Sequence, residues 1–123
     1  MTRAILIIED DNFLQGLEAK KMKKEGYDVY TASNSVEAFR ILDKKIKIDM
    51  ILLDLMLPDV DGFEILRKMR AMPETSSTPV IVFSNLSEEE DIKKAREIGI
   101  SEFMIKSNFT LDQLAEQVKN ILG

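Results

Sequence analysis

The chain has 123 residues, of which 45% are hydrophobic and 32% are charged, and its formal net charge is −5. These values predict one ordinary folded domain over residues 1–123 and argue against disorder, while the negative charge argues against direct binding to nucleic acid. The absence of cysteine and histidine excludes disulfides, thiolate metal sites and imidazole chemistry, and no apolar stretch approaches the roughly 20 residues that cross a membrane, so a cytoplasmic location fits.

Five short runs rich in isoleucine, valine and leucine recur along the chain and predict five β-strands. Most of these runs do not alternate with polar residues, which indicates strands covered on both faces, as in a parallel sheet. The second run is the most polar, which favours an edge position. The runs cover residues 4–8, 27–32, 50–53, 80–83 and 103–105.

Amphipathic segments between these runs predict five helices. The first, over residues 12–25, has the weakest apolar stripe (Leu14, Leu17 and Met22), and the last has the clearest. Three of the other helices follow side chains that can cap the free N–H groups of a first turn. These are Asn34, a capping box of Ser87 with Glu90, and a capping box of Thr110 with Gln113, while Gly62 precedes the third helix.

Strands that alternate with helices predict an α/β fold, a doubly wound (βα)5 three-layer sandwich with right-handed crossovers. We take the flavodoxin-like strand order 2-1-3-4-5 from other doubly wound sheets. In that order the first and third strands are neighbours at the point where strand order reverses. Ligands of such sheets bind there, beyond the carboxyl ends of the strands.

Polar residues end or follow four of the predicted strands. Glu9 and Asp10 follow the first strand, Asp54 ends the third, Ser84 ends the fourth and Lys106 follows the fifth. Parallel strands place all of these residues at one edge of the sheet. A carboxylate such as Asp54 is costly to bury at the end of an apolar run unless a partner pairs with it.

Carboxylates crowded at this edge need a compensating cation. Two of them about 4 Å apart repel by roughly 4 kcal/mol at an effective dielectric of about 20. Lys106 supplies one positive charge, and Mg²⁺ suits a site with few carboxylates and retained waters. An ionised aspartate, a hydroxyl, a lysine and Mg²⁺ together form a site that can accept a phosphoryl group, with Asp54 as the nucleophile.

Four segments in this order resemble the receiver domain of two-component response regulators, over the whole chain. They are ILIIEDD (5–11), DMILLDLMLPDVDG (49–62), VIVFS (80–84) and FMIK (103–106). The resemblance implies that Asp54 accepts a phosphoryl group from the phosphohistidine of a sensor histidine kinase or phosphotransfer protein. It also implies that Asp10, Asp54 and the Met56 backbone carbonyl bind Mg²⁺ directly (Mn²⁺ is the alternative ion) and that Glu9 acts through water.

The same resemblance implies how phosphorylation is relayed. Ser84 would bond a phosphoryl oxygen, Lys106 would pair with Asp54 and then with the phosphoryl group, and Phe103 would be the aromatic residue that reorients when Ser84 moves. The output surface would be the fourth helix, the fifth strand and the fifth helix, which would contact a downstream protein. We expect a monomer or a weak homodimer.

Two positions depart from the pattern of the family. Ser107 follows Lys106, where the family usually has proline, often after a cis bond. A cis bond before another residue type costs about 2.5–4 kcal/mol, so either the loop bears this strain or the bond is trans and the loop is reset. Asn85 replaces a residue that is often small, and we expect Asn85 and Met56 to flank the phosphoryl group and affect its lifetime.

Other functions stay open at this point. The chain is alternatively a receiver-like interaction module that is never phosphorylated. An aspartyl phosphatase is disfavoured, because its nucleophile would follow the first strand, and nucleotide binding is disfavoured by the lack of a glycine-rich loop. Phe103 has an alternative role as core packing, and Asp11 as a helix cap. Only 17 residues follow Lys106, so a complete chain would act through a protein partner and not an attached DNA-binding domain.

Overall fold

The computed structural model describes residues 2–123 and contains one parallel sheet of five strands with five helices. The strand order is β2-β1-β3-β4-β5, which confirms the predicted doubly wound fold and places β2 at an edge. The strands are β1 (Ala4–Ile8), β2 (Asp28–Ala32), β3 (Met50–Leu53), β4 (Val80–Ser84) and β5 (Glu102–Ile105). The helices are α1 (Asn12–Lys24), α2 (Ser35–Asp43), α3 (Gly62–Ala71), α4 (Glu89–Ile98) and α5 (Leu111–Leu122).

The inner strands of the sheet are buried on both faces, which explains why β1 and β3 are continuously apolar, while the edge strand β2 is partly exposed and more polar. In β1, Leu6 and Ile8 pack on the face covered by α2, α3 and α4, while Ile5 and Ile7 pack on the face covered by α1 and α5. This division follows from the two-residue period of a strand. Burying each such side chain fully contributes about 1.5–3 kcal/mol, so the sheet is a rigid support for the residues at its ends.

The helix starts are predicted correctly where a short polar side chain caps the first turn. Asn34 Oδ1 accepts from Glu37 N at 2.9 Å, and Thr110 with Gln113 forms the predicted capping box. Asp11 caps α1 by accepting from Leu14 N at 3.0 Å. These side chains satisfy N–H groups that have no partner within the helix.

The predicted capping box of Ser87 and Glu90 is wrong. Helix α4 begins at Glu89, and its N-cap Glu88 makes no side-chain capping bond. The Glu88 carbonyl instead accepts from the N–H groups of Asp91 and Ile92, at 3.0 and 3.1 Å. The helix therefore starts too late for the Ser87 hydroxyl, and its three acidic residues in the first turn favour this start through the helix dipole.

The loop between β3 and α3 is closed tightly. Gly62 is the first residue of α3 and not the residue before it, and Asp61 is the N-cap. A Cβ at Gly62 would collide with the Leu55 backbone, whose carbonyl accepts from Gly62 N at 3.1 Å. An antiparallel bridge joins Met56 to Asp61. The loop after Asp54 is thus held in one compact shape.

The loop after β5 is a short 3-10 turn over Lys106–Asn108. No peptide bond between described residues is cis, so the Lys106–Ser107 bond is trans. Of the two alternatives for this loop, a strained cis bond is therefore wrong, and a reset loop with a trans bond holds. Within residues 2–123, no helix has both the length and the apolar character needed to cross a membrane.

Candidate functional site

The predicted polar residues meet at the carboxyl ends of β1, β3, β4 and β5. The backbone places them there, because Asp54 N donates to the Ile8 carbonyl at 3.0 Å just as both strands end. Glu9 N likewise donates to the Ala32 carbonyl of β2 at 2.9 Å. Chain segments leave the sheet side by side at this point, and their side chains converge on one small space.

Asp54 is buried, with 5% of its surface exposed, and both of its carboxylate oxygens are bonded. Oδ1 accepts from the Ser84 hydroxyl at 2.7 Å and from Met56 N at 3.0 Å. Oδ2 accepts from Lys106 Nζ at 2.7 Å. These three donors compensate for the loss of water around the carboxylate, which would otherwise destabilise the fold by several kcal/mol.

Lys106 connects the two buried acids of the site. Its Nζ lies 2.6 Å from Glu9 Oε1 and 2.7 Å from Asp54 Oδ2. Burial acts to lower the pKa of Lys106, but hydrogen bonds to Asp54 and Glu9 outweigh it, so the pKa is raised overall. The amine therefore keeps its positive charge at neutral pH, where it holds the Asp54 carboxylate in place.

Three acids face this single lysine. One carboxylate oxygen from each of Glu9, Asp10 and Asp54 lies within 4.8 Å of the other two. At that separation each charged pair repels by roughly 3–4 kcal/mol at an effective dielectric of about 20. Burial is the main cause that raises the pKa of Glu9. Asp10 is exposed, so the cluster is open to solvent on one side.

This donor set fits a hard divalent cation. It offers carboxylate oxygens and an open side for water, and the chain has no cysteine or histidine that would favour a softer metal. Mg²⁺ is held in proteins by one or two carboxylates and several waters, which matches the arrangement of Asp10 and Asp54. Glu9 Oε2 accepts from Asp11 N at 3.1 Å, and this bond fixes the Glu9 side chain beside the cluster.

The rim of the site carries exposed side chains. Met56, on one side of the site, is 52% exposed, and Asn85, on another side, is also exposed. A shallow groove next to Lys106 is lined by Leu14, Leu17 and Phe109 among others. Phe13 is 78% exposed at the start of α1. Apolar surface of this kind near a reactive group is typical of a protein-binding rim.

Phe103 does not lie in the pocket. It pairs in register with Val82, while Ser84 pairs with Ile105, and its ring is buried in the core beneath α3 and α4. The structure therefore places Phe103 where core packing explains it, and its role as a switch stays a prediction. The other predicted residues at strand ends (Glu9, Asp10, Asp54, Ser84 and Lys106) are brought together.

Sequence reasoning missed two residues of α1 close to this site. The Gln15 amide donates to the Glu9 carbonyl at 2.8 Å. Glu18 is 1% exposed, although acids are almost never buried without a partner. Its position four residues before Met22, on the inward stripe of α1, is the signal that would have revealed it.

A third missed residue is Asp59, whose place among turn-forming residues before Gly62 suggests only a role in that turn. Its carboxylate instead reaches α2, where it accepts from Ser35 N at 3.1 Å and from Ser35 Oγ at 2.5 Å. The hydrogen bond from the Ser35 hydroxyl is the main cause that lowers the pKa of Asp59. Asp59 thus joins the β3–α3 loop to the start of α2.

Comparisons with known proteins identify the family of this chain. The family model for the response regulator receiver domain matches residues 5–119. The sporulation initiation phosphotransferase F of Bacillus subtilis is 32% identical over 122 residues, covering 99% of this chain and 95% of that protein. The alkaline phosphatase synthesis transcriptional regulatory protein PhoP of the same organism is also 32% identical, but this chain covers only 49% of it.

Solved structures show the same fold. A CheY-like receiver domain protein from Methanospirillum hungatei superposes with a TM-score of 0.90 at 23% identity, covering 99% of this chain and 94% of that one. The phosphorylated cyanobacterial phytochrome response regulator RcpA superposes with a TM-score of 0.83 at 29% identity, covering 98% and 91%. Because the family model matches residues 5–119 of its 123 residues, this chain belongs to the response regulator receiver domain family.

Proposed function

We propose that the protein is a cytoplasmic, phosphorylation-dependent signalling switch. Asp54 accepts a phosphoryl group from the phosphohistidine of a sensor histidine kinase or phosphotransfer protein, and α4, β5 and α5 pass the change to a downstream protein. Magnesium and phosphoaspartate are general features of the family, and a relative of this chain is named a phosphotransferase. The observation that carries the proposal is the Asp54 carboxylate, bonded to Lys106 and Ser84 beside two further acids.

The reaction needs an ionised nucleophile, which the site provides without a general base. An Asp54 oxygen attacks the phosphorus while the bond from phosphorus to the donor nitrogen breaks, and the imidazole leaves with its electron pair. Lys106 lies 2.7 Å from Oδ2 and so neutralises charge next to the transferred group. Magnesium bound by Asp10, Asp54 and the Met56 carbonyl, with Glu9 acting through water, would neutralise charge on the phosphoryl oxygens.

Ser84 is placed to respond to the modification. Its hydroxyl donates to Asp54 Oδ1 at 2.7 Å and is fully buried. When Asp54 carries a phosphoryl group, the hydroxyl turns to a phosphoryl oxygen, which is the stronger acceptor. Movement of Ser84 is passed along β4 to its neighbour β5 and then to Phe103 and the output surface.

The apolar rim suits docking of a protein donor. Leu17 and Phe109 are each 40% exposed, and both line the groove that adjoins Lys106. A partner that covers these side chains would bring its phosphohistidine to Asp54 and exclude water from the reaction. A small phosphodonor does not need this surface, which makes it the simpler probe of the chemistry.

Phosphorylation at Asp54 is tested with Mg²⁺ and acetyl phosphate, followed by intact-mass measurement. The expected result is a mass gain of one phosphoryl group that requires Mg²⁺. The same treatment of the Asp54→Asn variant is expected to give no gain, since its amide is not a nucleophile. If the wild-type mass does not change, the proposal is wrong, and the chain is an interaction module that is not phosphorylated.

Met56 and Asn85 are expected to set how long the phosphoryl group lasts. Both side chains are exposed at the rim, where we expect them to limit the approach of water to Asp54. Exchanging either for alanine is expected to speed dephosphorylation by a few-fold, measured as the decay of the phosphorylated mass after the donor is removed. Val36→Ala is the control, because Val36 is exposed on α2 outside this rim. Unchanged decay in both variants would contradict the prediction.

A further inference from the structure

Gln15 lies in the first turns of α1 and reaches back to the end of β1. Its side-chain amide nitrogen donates to the Glu9 carbonyl at 2.8 Å, to the Ala32 carbonyl at 3.1 Å and to Ser33 Oγ at 3.2 Å. The side chain is half-buried, so it is shielded from competing water. One amide thus joins α1, the end of β1 and the end of the edge strand β2.

The Glu9 carbonyl depends on this amide. Strand β1 ends at Ile8, and Glu9 makes its last sheet bond through its N–H, which donates to the Ala32 carbonyl at 2.9 Å. Within residues 2–123, no backbone N–H donates to the Glu9 carbonyl. Gln15 therefore provides the hydrogen bond that a neighbouring strand would otherwise supply.

The orientation of this carbonyl determines where two acids of the site lie. A peptide unit is planar, so fixing the Glu9 carbonyl also fixes the N–H of Asp10 and the Cα atoms of both residues. The two side chains leave from the two ends of that unit. Their carboxylates belong to the cluster in which acidic oxygens lie within 4.8 Å of one another.

We propose that Gln15 is a positioning residue that sets the affinity of the site for Mg²⁺ by holding the Glu9–Asp10 peptide. It contacts neither the ion nor the phosphoryl group. This inference rests on the proposed function, because it assigns Glu9 and Asp10 to the metal. Groups that hold the ligands of a metal without touching the metal commonly change its affinity by 10–100-fold when they are removed.

The test replaces Gln15 by methionine, which has a similar length but no donor. The dissociation constant for Mg²⁺, measured by calorimetry with magnesium chloride alone, is expected to rise by about tenfold. Ser33→Ala is the matched control, because it removes the longest of the three contacts and keeps the Glu9 carbonyl bonded. The dissociation constant of Ser33→Ala for Mg²⁺ is expected to stay within about twofold of wild type, which is well below the change of about tenfold expected for Gln15→Met.

A second measurement separates positioning from general stability. In metal-free protein, hydrogen exchange at the amide of Glu9, which donates to the Ala32 carbonyl at 2.9 Å, is expected to quicken in Gln15→Met, while amides in the middle of α5 keep their wild-type rates. A role in stability alone would lower the protection of all these amides together and leave the affinity for Mg²⁺ unchanged. That outcome would overturn the inference.

The two proposals fail in different ways. Wild-type protein that is phosphorylated normally, together with a Gln15→Met variant of unchanged Mg²⁺ affinity, overturns the role of Gln15 and leaves the proposed function intact. Wild-type protein that binds no Mg²⁺ overturns both the proposed function and the effect of Gln15 on affinity. The exchange rates then still show whether Gln15 holds the Glu9–Asp10 peptide.

Discussion

Replacing Lys106 by methionine is expected to slow phosphorylation of Asp54 by acetyl phosphate by about 100-fold or more, the size of effect seen when one preorganised donor is removed from an active site. Lys106 Nζ lies 2.7 Å from Asp54 Oδ2, next to the position that the incoming phosphoryl group must occupy. Methionine keeps most of the length of the side chain and removes its charge. The rate is measured as phosphorylated mass against time at saturating Mg²⁺.

The same substitution is expected to strengthen binding of Mg²⁺. Lys106 Nζ lies within 2.7 Å of oxygens of both Glu9 and Asp54, so the ammonium competes with a divalent cation for the same charges. Removing the ammonium takes away the positive charge that is paired with Glu9 and Asp54. We therefore expect a lower dissociation constant for Mg²⁺ together with slower phosphorylation, two effects in opposite directions.

This pair of effects distinguishes the role of Lys106 from a general loss of structure. A damaged fold would weaken metal binding and slow phosphorylation together. Lys119→Met is the control, because Lys119 is exposed in the last turn of α5 and the substitution makes the same change of charge. A Lys106→Met variant that is phosphorylated within about threefold of the wild-type rate would rule out the preorganised role, which predicts a far larger loss.

The sequence was sufficient to predict the five strands and the residues at their ends, while the strand order came from other doubly wound sheets. The first, third, fourth and fifth predicted strands are continuous apolar runs, and Asp54, Ser84 and Lys106 stand where such a run ends. In a parallel sheet these ends share one edge, so connectivity alone brings the side chains together. Because a few strong local signals determine the arrangement, the approach of Ser84 and Lys106 to Asp54 could be anticipated, whereas the bond from Ser84 to the unmodified carboxylate could not.

The features that could not be predicted depend on where one element lies against another. Gln15 bonds to Ala32 and Ser33, which form one segment distant from it in sequence, and a flexible side chain carries no signal for such a choice. Asp59 has the composition of a turn residue but bonds to Ser35 at the start of α2. Local propensity is outweighed by tertiary contacts in both cases. Ser87 has the spacing of a cap, yet α4 starts at Glu89, where three acidic residues occupy the first turn.

Glu18 is the clearest conflict between sequence pattern and structure, and it has a large consequence for stability. It is 1% exposed on α1, and no atom of residues 2–123 donates a hydrogen bond to its Oε1. Burial, followed by repulsion from Glu9, raises the pKa of Glu18 from its ordinary value of 4.5 to about 8. The folded protein therefore keeps a proton on Glu18 at neutral pH, while the unfolded chain releases it.

The sign of the pH dependence follows from this difference in bound protons. Between pH 4.5 and about 8 the folded state holds more protons than the unfolded state, so Glu18 makes the free energy of unfolding fall as pH rises. At pH 7 the loss amounts to about 3 kcal/mol, since each pH unit above the unfolded pKa contributes about 1.4 kcal/mol. Below pH 4.5 both states are protonated at this position, and the loss disappears.

Glu18→Gln is therefore expected to stabilise the protein by about 3 kcal/mol at pH 7 and to have little effect near pH 4.5. Glutamine has nearly the same shape as the protonated acid and cannot ionise. The measurement is urea unfolding of metal-free wild type and variant at a series of pH values. Glu9, Asp11, Asp54 and Lys106 act on Glu18 through their charges. These four residues are present in both proteins, so their own titration largely cancels in the comparison.

Glu116→Gln is the control, because Glu116 is exposed on α5, and this variant is expected to show no such trend with pH. A Glu18→Gln advantage that does not grow between pH 5 and pH 8 would mean that Glu18 is not held protonated by its burial.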